Sequence, residues 1–143
     1  MSPSVAVVIV VLIAAFGIAY VINRLIALRA GSMKEIPDSA SSKRLDTSDL
    51  GLSATGPTIV HFTAVWCGPC AGVRRVVDQV CAELPAVAHV EIDMDENPDA
   101  ARRLSVLSLP TTFIFDADGR SRYRASGVPT AADLRSALDP LLA

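Results

Sequence analysis

The chain has 143 residues, with 13 Lys and Arg against 15 Asp and Glu and a net charge of −2. That length suffices for one domain and an appendage, and the near-neutral balance excludes the basic face that nucleic acids and other polyanions need. Three cysteines are too few for a disulfide scaffold.

The mean hydropathy is positive, and the first residues account for it. Positions 5–22 hold no charge and are rich in Val, Ile, Leu and Ala, which at ~1.5 Å per residue just spans a ~30 Å hydrocarbon core with its flanks. No basic residue precedes the run, and Leu25 and Leu28 stand where a cleavage site would want small residues. Residues 1–30 are therefore expected to form a permanent single-pass transmembrane anchor with a basic flank. Arg24, Arg29 and Lys34 follow the apolar run, and positive residues stay on the cytoplasmic side. That predicts an outward N-terminus and a cytoplasmic domain, the extracytoplasmic orientation being the alternative. Residues 31–43, with Gly31, Pro37 and several serines, read as a flexible linker.

The segment 45–52 is expected to hold a short strand or turn and an abbreviated helix capped by Thr47. A strand follows at 58–64. It leads into Trp66-Cys67-Gly68-Pro69-Cys70. Two cysteines so spaced close a small disulfide or bind a metal. Gly68 and Pro69 favour the disulfide, because proline suits the first turn of a helix. Cys67 is then placed at a helix N-terminus, where unpaired N–H groups and the macrodipole stabilise the thiolate that carries out disulfide exchange. Cys70, one turn on, is placed to attack the mixed disulfide, and Trp66 supplies an apolar wall. Zinc needs about four ligands, and Cys81, His61 and His89 are not in ligand spacing with the motif; no metal is expected.

The helix from Cys70 runs to about Leu84, with Val73, Val76, Val77, Val80 and Leu84 at helical spacing and Pro85 ending it. Cys81 falls within this apolar pattern and reads as packing. Residues 87–94 form a strand with Val90 and Ile92 on one face and His89, Glu91 and Asp93 on the other. A helix starts at Asn97-Pro98, a strand covers 113–115, and Asp118-Gly119 signals a two-residue hairpin turn to a partner at 123–126. Thr130 and Asp133 form a capping pair for a last helix through Leu134, Leu138 and Leu141. This is an α/β order, a central mixed sheet with helices on both faces. The charged groups Arg74, Asp95, Arg102, Arg103 and Arg120 read as solvated surface.

The strand leading into WCGPC, together with Ser108-Leu109-Pro110-Thr111-Thr112-Phe113-Ile114-Phe115, resembles the thioredoxin family over residues 44–143. On its own, Pro110 would pass as a proline at a strand start. The resemblance implies a thioredoxin fold with Pro110 in the cis form, so that the backbone of Leu109 beside Thr111 faces the disulfide and holds an extended substrate by strand-like hydrogen bonds. It also implies that Cys67 attacks a substrate disulfide and Cys70 resolves the intermediate. Relatives keep a buried aspartate and a facing lysine; here those positions carry His61 and Glu91. His61 is expected to be the buried base for Cys70, with Glu91 as its partner; the alternatives are that His61 only fills a buried polar slot, or that His89 is the neighbour of Glu91.

Gly-Pro between the cysteines resembles the reducing members, near −270 mV rather than the about −120 mV of strong oxidants. The expected function is thus a membrane-tethered protein disulfide reductase, acting on protein disulfides. A thioredoxin-reductase-like donor would recharge it, and no cofactor beyond the Cys67–Cys70 pair is expected. The alternatives are an envelope-facing oxidase or isomerase, or a low-turnover binding module using the surface around Trp66 and Pro110.

Overall fold

The computed structural model describes residues 3–29, 31–37 and 46–143, which divide into two compact units, Met1–Ala30 and Gly31–Ala143. The first is a single helix, α1 (Pro3–Arg29), whose span Ser4–Ile26 is long and apolar enough to cross a membrane, a test that signal sequences near an N-terminus also pass.

The second unit is built on a five-stranded sheet. Its strands are β1 (Lys34–Glu35), β2 (Thr58–Thr63), β3 (Ala88–Asp93), β4 (Thr111–Phe115) and β5 (Ser121–Ser126), in the order β1-β5-β4-β2-β3. Only β2 and β3 run parallel; the other neighbours are antiparallel. The parallel pair is connected through α2 (Cys70–Glu83), as a crossover requires. Among the described residues, two further helices are α3 (Pro98–Arg103) and α4 (Ala131–Leu142).

Alternation along β2 decides which helix covers which face. Ile59 points to the side where Val73, Val77 and Val80 of α2 meet Leu134 and Leu138 of α4. Val60 and Phe62 point to the other side, against Phe113, Phe115, Ile92 and α3 with Leu50. All six residues of β2 are buried, which is the signature of a central strand covered on both faces. The buried position between Ile59 and the end of the strand, on the α2 side, belongs to His61, which has no exposed surface.

Three expectations are corrected. The segment read as a flexible linker contributes β1: Lys34 pairs with Arg124 and Glu35 with Tyr123. The Gly31 N–H donates to Ser126 O at 2.6 Å and Ile36 N–H to Arg122 O at 2.8 Å; the rest of that call, 38–43, lies outside the described residues. Thr47 caps no helix. Residues 48–51 are a turn in which the Ser48 N–H donates to Asp46 Oδ1, because the aspartate one residue earlier closes the tighter loop. The hairpin loop is one residue longer than the dipeptide signal implied. The Asp116 N–H donates to Arg120 O and the Gly119 N–H to Asp116 O, with Gly119 at φ +75°. That is a type I turn followed by a left-handed residue, the usual three-residue hairpin. Thr130 does cap α4, accepting from the Asp133 N–H at 3.1 Å.

Candidate active site

The chain leaves β2 at Thr63 and turns through Ala64, whose carbonyl accepts the Cys67 N–H at 3.0 Å. Helix α2 begins at Cys70, with Pro69 as its N-cap residue and no side-chain cap. Cys67 therefore sits in the turn just ahead of the helix rather than in its first turn. The Cys70 N–H donates to Cys67 O at 3.3 Å and the Gly72 N–H to Pro69 O at 2.9 Å, so what the turn receives from the helix is its positive dipole end.

Cys67 and Cys70 form a disulfide with S–S 2.04 Å and Cα–Cα 5.5 Å. The two sulfurs differ in access. Cys70 is buried at 2 % exposure, its Sγ lying 3.9 Å from the Phe62 carbonyl, whereas Cys67 is only half-buried and Gly68 and Pro69 are exposed. Trp66 is largely exposed and its indole N–H donates to Asp95 Oδ2 at 3.0 Å. Asp95 is held in turn by its own N–H bond to Asp93 Oδ1 at 2.8 Å.

The Leu109–Pro110 peptide is cis. Phe62 of β2 pairs with Thr111 of β4, so Pro110 lies level with the end of β2 from which the cysteine motif departs. The Thr111 hydroxyl donates to Ser108 O at 2.7 Å, and the Pro110 carbonyl accepts the Gly127 N–H at 2.9 Å. The half-buried Leu109 and the exposed Val65 and Leu107 add apolar surface to the loops at this end of the sheet.

His61, the strand residue before Phe62, belongs to a polar chain that crosses three elements. His61 on β2 stacks on His89 of β3, ring planes 19° apart, with His61 Nδ1 2.9 Å from His89 Nε2. His89 Nδ1 is 3.4 Å from Asp78 Oδ1 of α2. At the opposite end, His61 Nε2 makes no hydrogen bond and stands 3.5 Å from Glu91 Oε2. Glu91 is claimed by Arg74 of α2, whose Nε donates to Oε2 at 2.8 Å and whose Nη2 donates to Oε1. Burial lowers the His61 pKa to about 4, against the opposing pull of Glu91. The Arg74 hydrogen bonds hold Glu91 below the usual carboxylate range. His61 is therefore neutral at pH 7, and its contact with Glu91 is not an ion pair.

The expected pairing of His61 with Glu91 is thus present only as a near contact. The hydrogen bond of His61 goes to His89, and Arg74, read as solvated, is the ion-pair partner of Glu91. Donor atoms of His61, His89 and Glu91 lie within 4.8 Å of one another; His61 Nδ1 is bonded to His89 and Glu91 to the Arg74 cation, while His61 Nε2 has no hydrogen bond. Cys81 is free and half-buried, and burial raises its thiol pKa.

His89 and Asp95 escaped the sequence reading as site residues. Their partners lie 28 and 29 positions away, beyond any local pattern. The one signal available was parity: His89 and Glu91 share a strand face.

The Thioredoxin family model matches residues 47–140. Thioredoxin from Chlamydia trachomatis serovar D is 39% identical over 75 residues, covering 52% of this chain and 72% of that protein. Thioredoxin from Mycolicibacterium smegmatis is 39% identical over 94 residues, covering 63% and 83%. Among solved structures, chloroplastic thioredoxin z superposes with a TM-score of 0.56 at 37% identity, over 62% of this chain and 80% of that one. With the sheet order, the cis proline and the disulfide between the cysteines of WCGPC already in place, these matches mean that the chain belongs to the thioredoxin family and is a thiol–disulfide oxidoreductase with a CxxC redox pair.

Proposed function

We propose that the chain is a membrane-tethered protein disulfide reductase, with its redox domain on the cytoplasmic side. The observation that carries the chemistry is the unequal access of the two sulfurs. A half-buried Cys67 beside an uncapped helix start meets a substrate disulfide. Cys70, buried against the Phe62 carbonyl, is reached only from within the protein. Cys67 is thus the attacking thiolate and Cys70 the resolving one. Attack forms a Cys67–substrate disulfide and expels the first substrate thiolate. Cys70 then attacks Cys67 Sγ, re-forms the internal disulfide and releases the second.

Trp66, oriented by Asp95, and Gly68, Pro69, Leu109, Pro110 and Thr111 form the face that a substrate strand would meet. His61 is the base for Cys70, supported by its burial on the strand whose next carbonyl touches Cys70 Sγ. Glu91 is oriented by Arg74 and bounds the His61 ring. Substrates are protein disulfides, the electron donor is a partner reductase dithiol, and no cofactor beyond the cysteine pair takes part. The tether is α1, apolar and exposed along Ser4–Ile26, and Arg24, Arg29 and Lys34 favour the cytoplasmic orientation.

The test is the equilibrium reduction potential of the Cys67–Cys70 pair against glutathione. A reductase poises near about −270 mV, whereas a value above roughly −180 mV would assign an oxidase or isomerase. In parallel, Cys67→Ser should abolish insulin-disulfide reduction, and Cys70→Ser should accumulate mixed disulfides with substrate proteins. Turnover by Cys67→Ser would refute the assignment of the nucleophile.

A further inference from the structure

We propose that His61 and His89 form a two-imidazole proton relay that carries the Cys70 proton between the buried sulfur and the solvent edge at Asp78. The proposal rests on His61 acting as the base for Cys70 and adds the exit route. Its geometric basis is a count of hydrogens. The chain Asp78 Oδ1, His89 Nδ1 and Nε2, His61 Nδ1 and Nε2, Glu91 Oε2 contains three junctions, at 3.4, 2.9 and 3.5 Å. Two neutral imidazoles carry one N–H each. One hydrogen must occupy the short His–His bond, so one end of the chain always lacks one.

Two tautomers satisfy this count. In the first, His61 Nδ1–H donates to His89 Nε2 and His89 Nδ1–H faces Asp78, which leaves His61 Nε2 bare at the buried end. In the second, His89 Nε2–H donates to His61 Nδ1, His61 Nε2–H faces Glu91, and His89 Nδ1 is bare at the outer end. Passing from the first to the second moves one proton out of the interior with no ring rotation. His61 has no exposed surface, while the His89 and Asp78 side chains keep 18% and 63% of theirs, so the exit lies at His89. Among the described residues, the remaining charges around the pair are Glu91 and Arg74, bonded to each other; Glu91 favours the His61 cation and Arg74 opposes it.

The redox cycle then uses both tautomers in turn. When Cys70 resolves a mixed disulfide, its thiol proton goes to His61 Nε2, the His61 Nδ1 proton to His89 Nε2, and the His89 Nδ1 proton to Asp78 or water. The Cys70 thiolate bonds to Cys67 Sγ, the Cys67–substrate S–S bond breaks, and its electron pair leaves on the substrate sulfur. When a partner dithiol reduces the disulfide, the proton runs back along the same path to the departing Cys70 thiolate. A buried imidazole with its proton affinity lowered to about pH 4 does not retain a proton at neutral pH, so a base at this position must pass it on.

The chain has two histidines, so 15N spectra of histidine-labelled full-length protein in detergent micelles read both tautomers directly. Reduced protein should show both rings protonated at Nδ1, and oxidised protein both at Nε2. Identical tautomers in the two states overturn the relay. Kinetics separate it from the base assignment. In a C81A background, reduced protein releases two thionitrobenzoate ions from dithiobis(nitrobenzoate), the second on resolution by Cys70. H89Q, whose amide retains a hydrogen bond to His61, should slow the second release at least about tenfold and leave the first unchanged, with added imidazole restoring the rate. H61Q should be equally slow. A slow H61Q beside a normal H89Q overturns the relay alone, and normal rates in both overturn the base assignment as well.

Discussion

The most consequential residue is a histidine with no exposed surface. His61 titrates near pH 4 because burial opposes its cation more than Glu91 favours it, whereas in the unfolded chain it titrates near its ordinary 6.5. The folded state therefore binds the proton less tightly than the unfolded one. This contribution to stability is complete above about pH 6.5, falls as pH drops toward 4, and is lost below it. At about 1.4 kcal/mol per tenfold change in proton affinity, it amounts to roughly 3 kcal/mol. Thermal unfolding of wild type and His61→Gln, followed across that window, should show the wild-type curve falling more steeply. Parallel curves would mean that His61 titrates normally. A glance at the motif reveals none of this. The cysteines were legible as a short motif, whereas Pro110 and the buried position of His61 were legible only through the resemblance to the thioredoxin family. The bonds of His61 to His89, Glu91 to Arg74 and Trp66 to Asp95 were not, since each joins residues 17 to 29 positions apart whose meeting depends on the parallel register and on which turn of α2 overlies β3.

At the scale of elements, the helices and central strands were readable from hydrophobic period, while β1 was not. Two residues carry no period, and serines and a proline nearby resemble a linker. Its placement depends on Gly31. At φ +86°, with its amide bonded to Ser126 O at 2.6 Å, the residue stands so close to β5's end that an added Cβ would lie 2.0 Å from Val128 O. The obstacle is backbone, which a rotamer change cannot relieve. Gly31→Ala should cost more than about 1 kcal/mol and release β1: amide exchange at Ile36 should become fast while β4 amides stay protected. An unchanged Ile36 amide would show that the strand holds without this turn. The last helix offers a milder contrast. Thr130 accepts the Asp133 N–H and donates its hydroxyl to Asp133 Oδ2 at 2.6 Å, and Thr130→Ala should lower stability by about 1 kcal/mol. That is some 4–8 °C in melting temperature for a domain of this size, with no effect on disulfide exchange, because the cap touches none of the site residues.

For the whole molecule the deciding quantity is apolar surface. Within the 23 residues of Ser4–Ile26 an 18-residue window reaches a mean hydropathy of 3.1, and all of them lie exposed along the helix, far beyond the patch a soluble monomer leaves in water. At ~1.5 Å per residue they reach about 34 Å, enough for a ~30 Å hydrocarbon core. Being apolar on all sides, the helix suits a span rather than a position flat on the membrane surface, where one face would be charged. The full chain should therefore sediment with membranes, resist alkaline carbonate, dissolve in detergent, and retain the helix in its measured mass; a mass lacking these residues would identify a removed signal sequence. Orientation then decides the chemistry. Under the proposed orientation, with Arg24, Arg29 and Lys34 on the inner side, protease added to sealed cells should spare the domain and digest it after permeabilisation. In the proposed orientation the cysteine pair would work among reductants that keep it as a dithiol, and the tether would raise its effective concentration for disulfides on membrane proteins. Digestion from outside would instead place the same pair where its recharging needs a donor that carries electrons across the membrane.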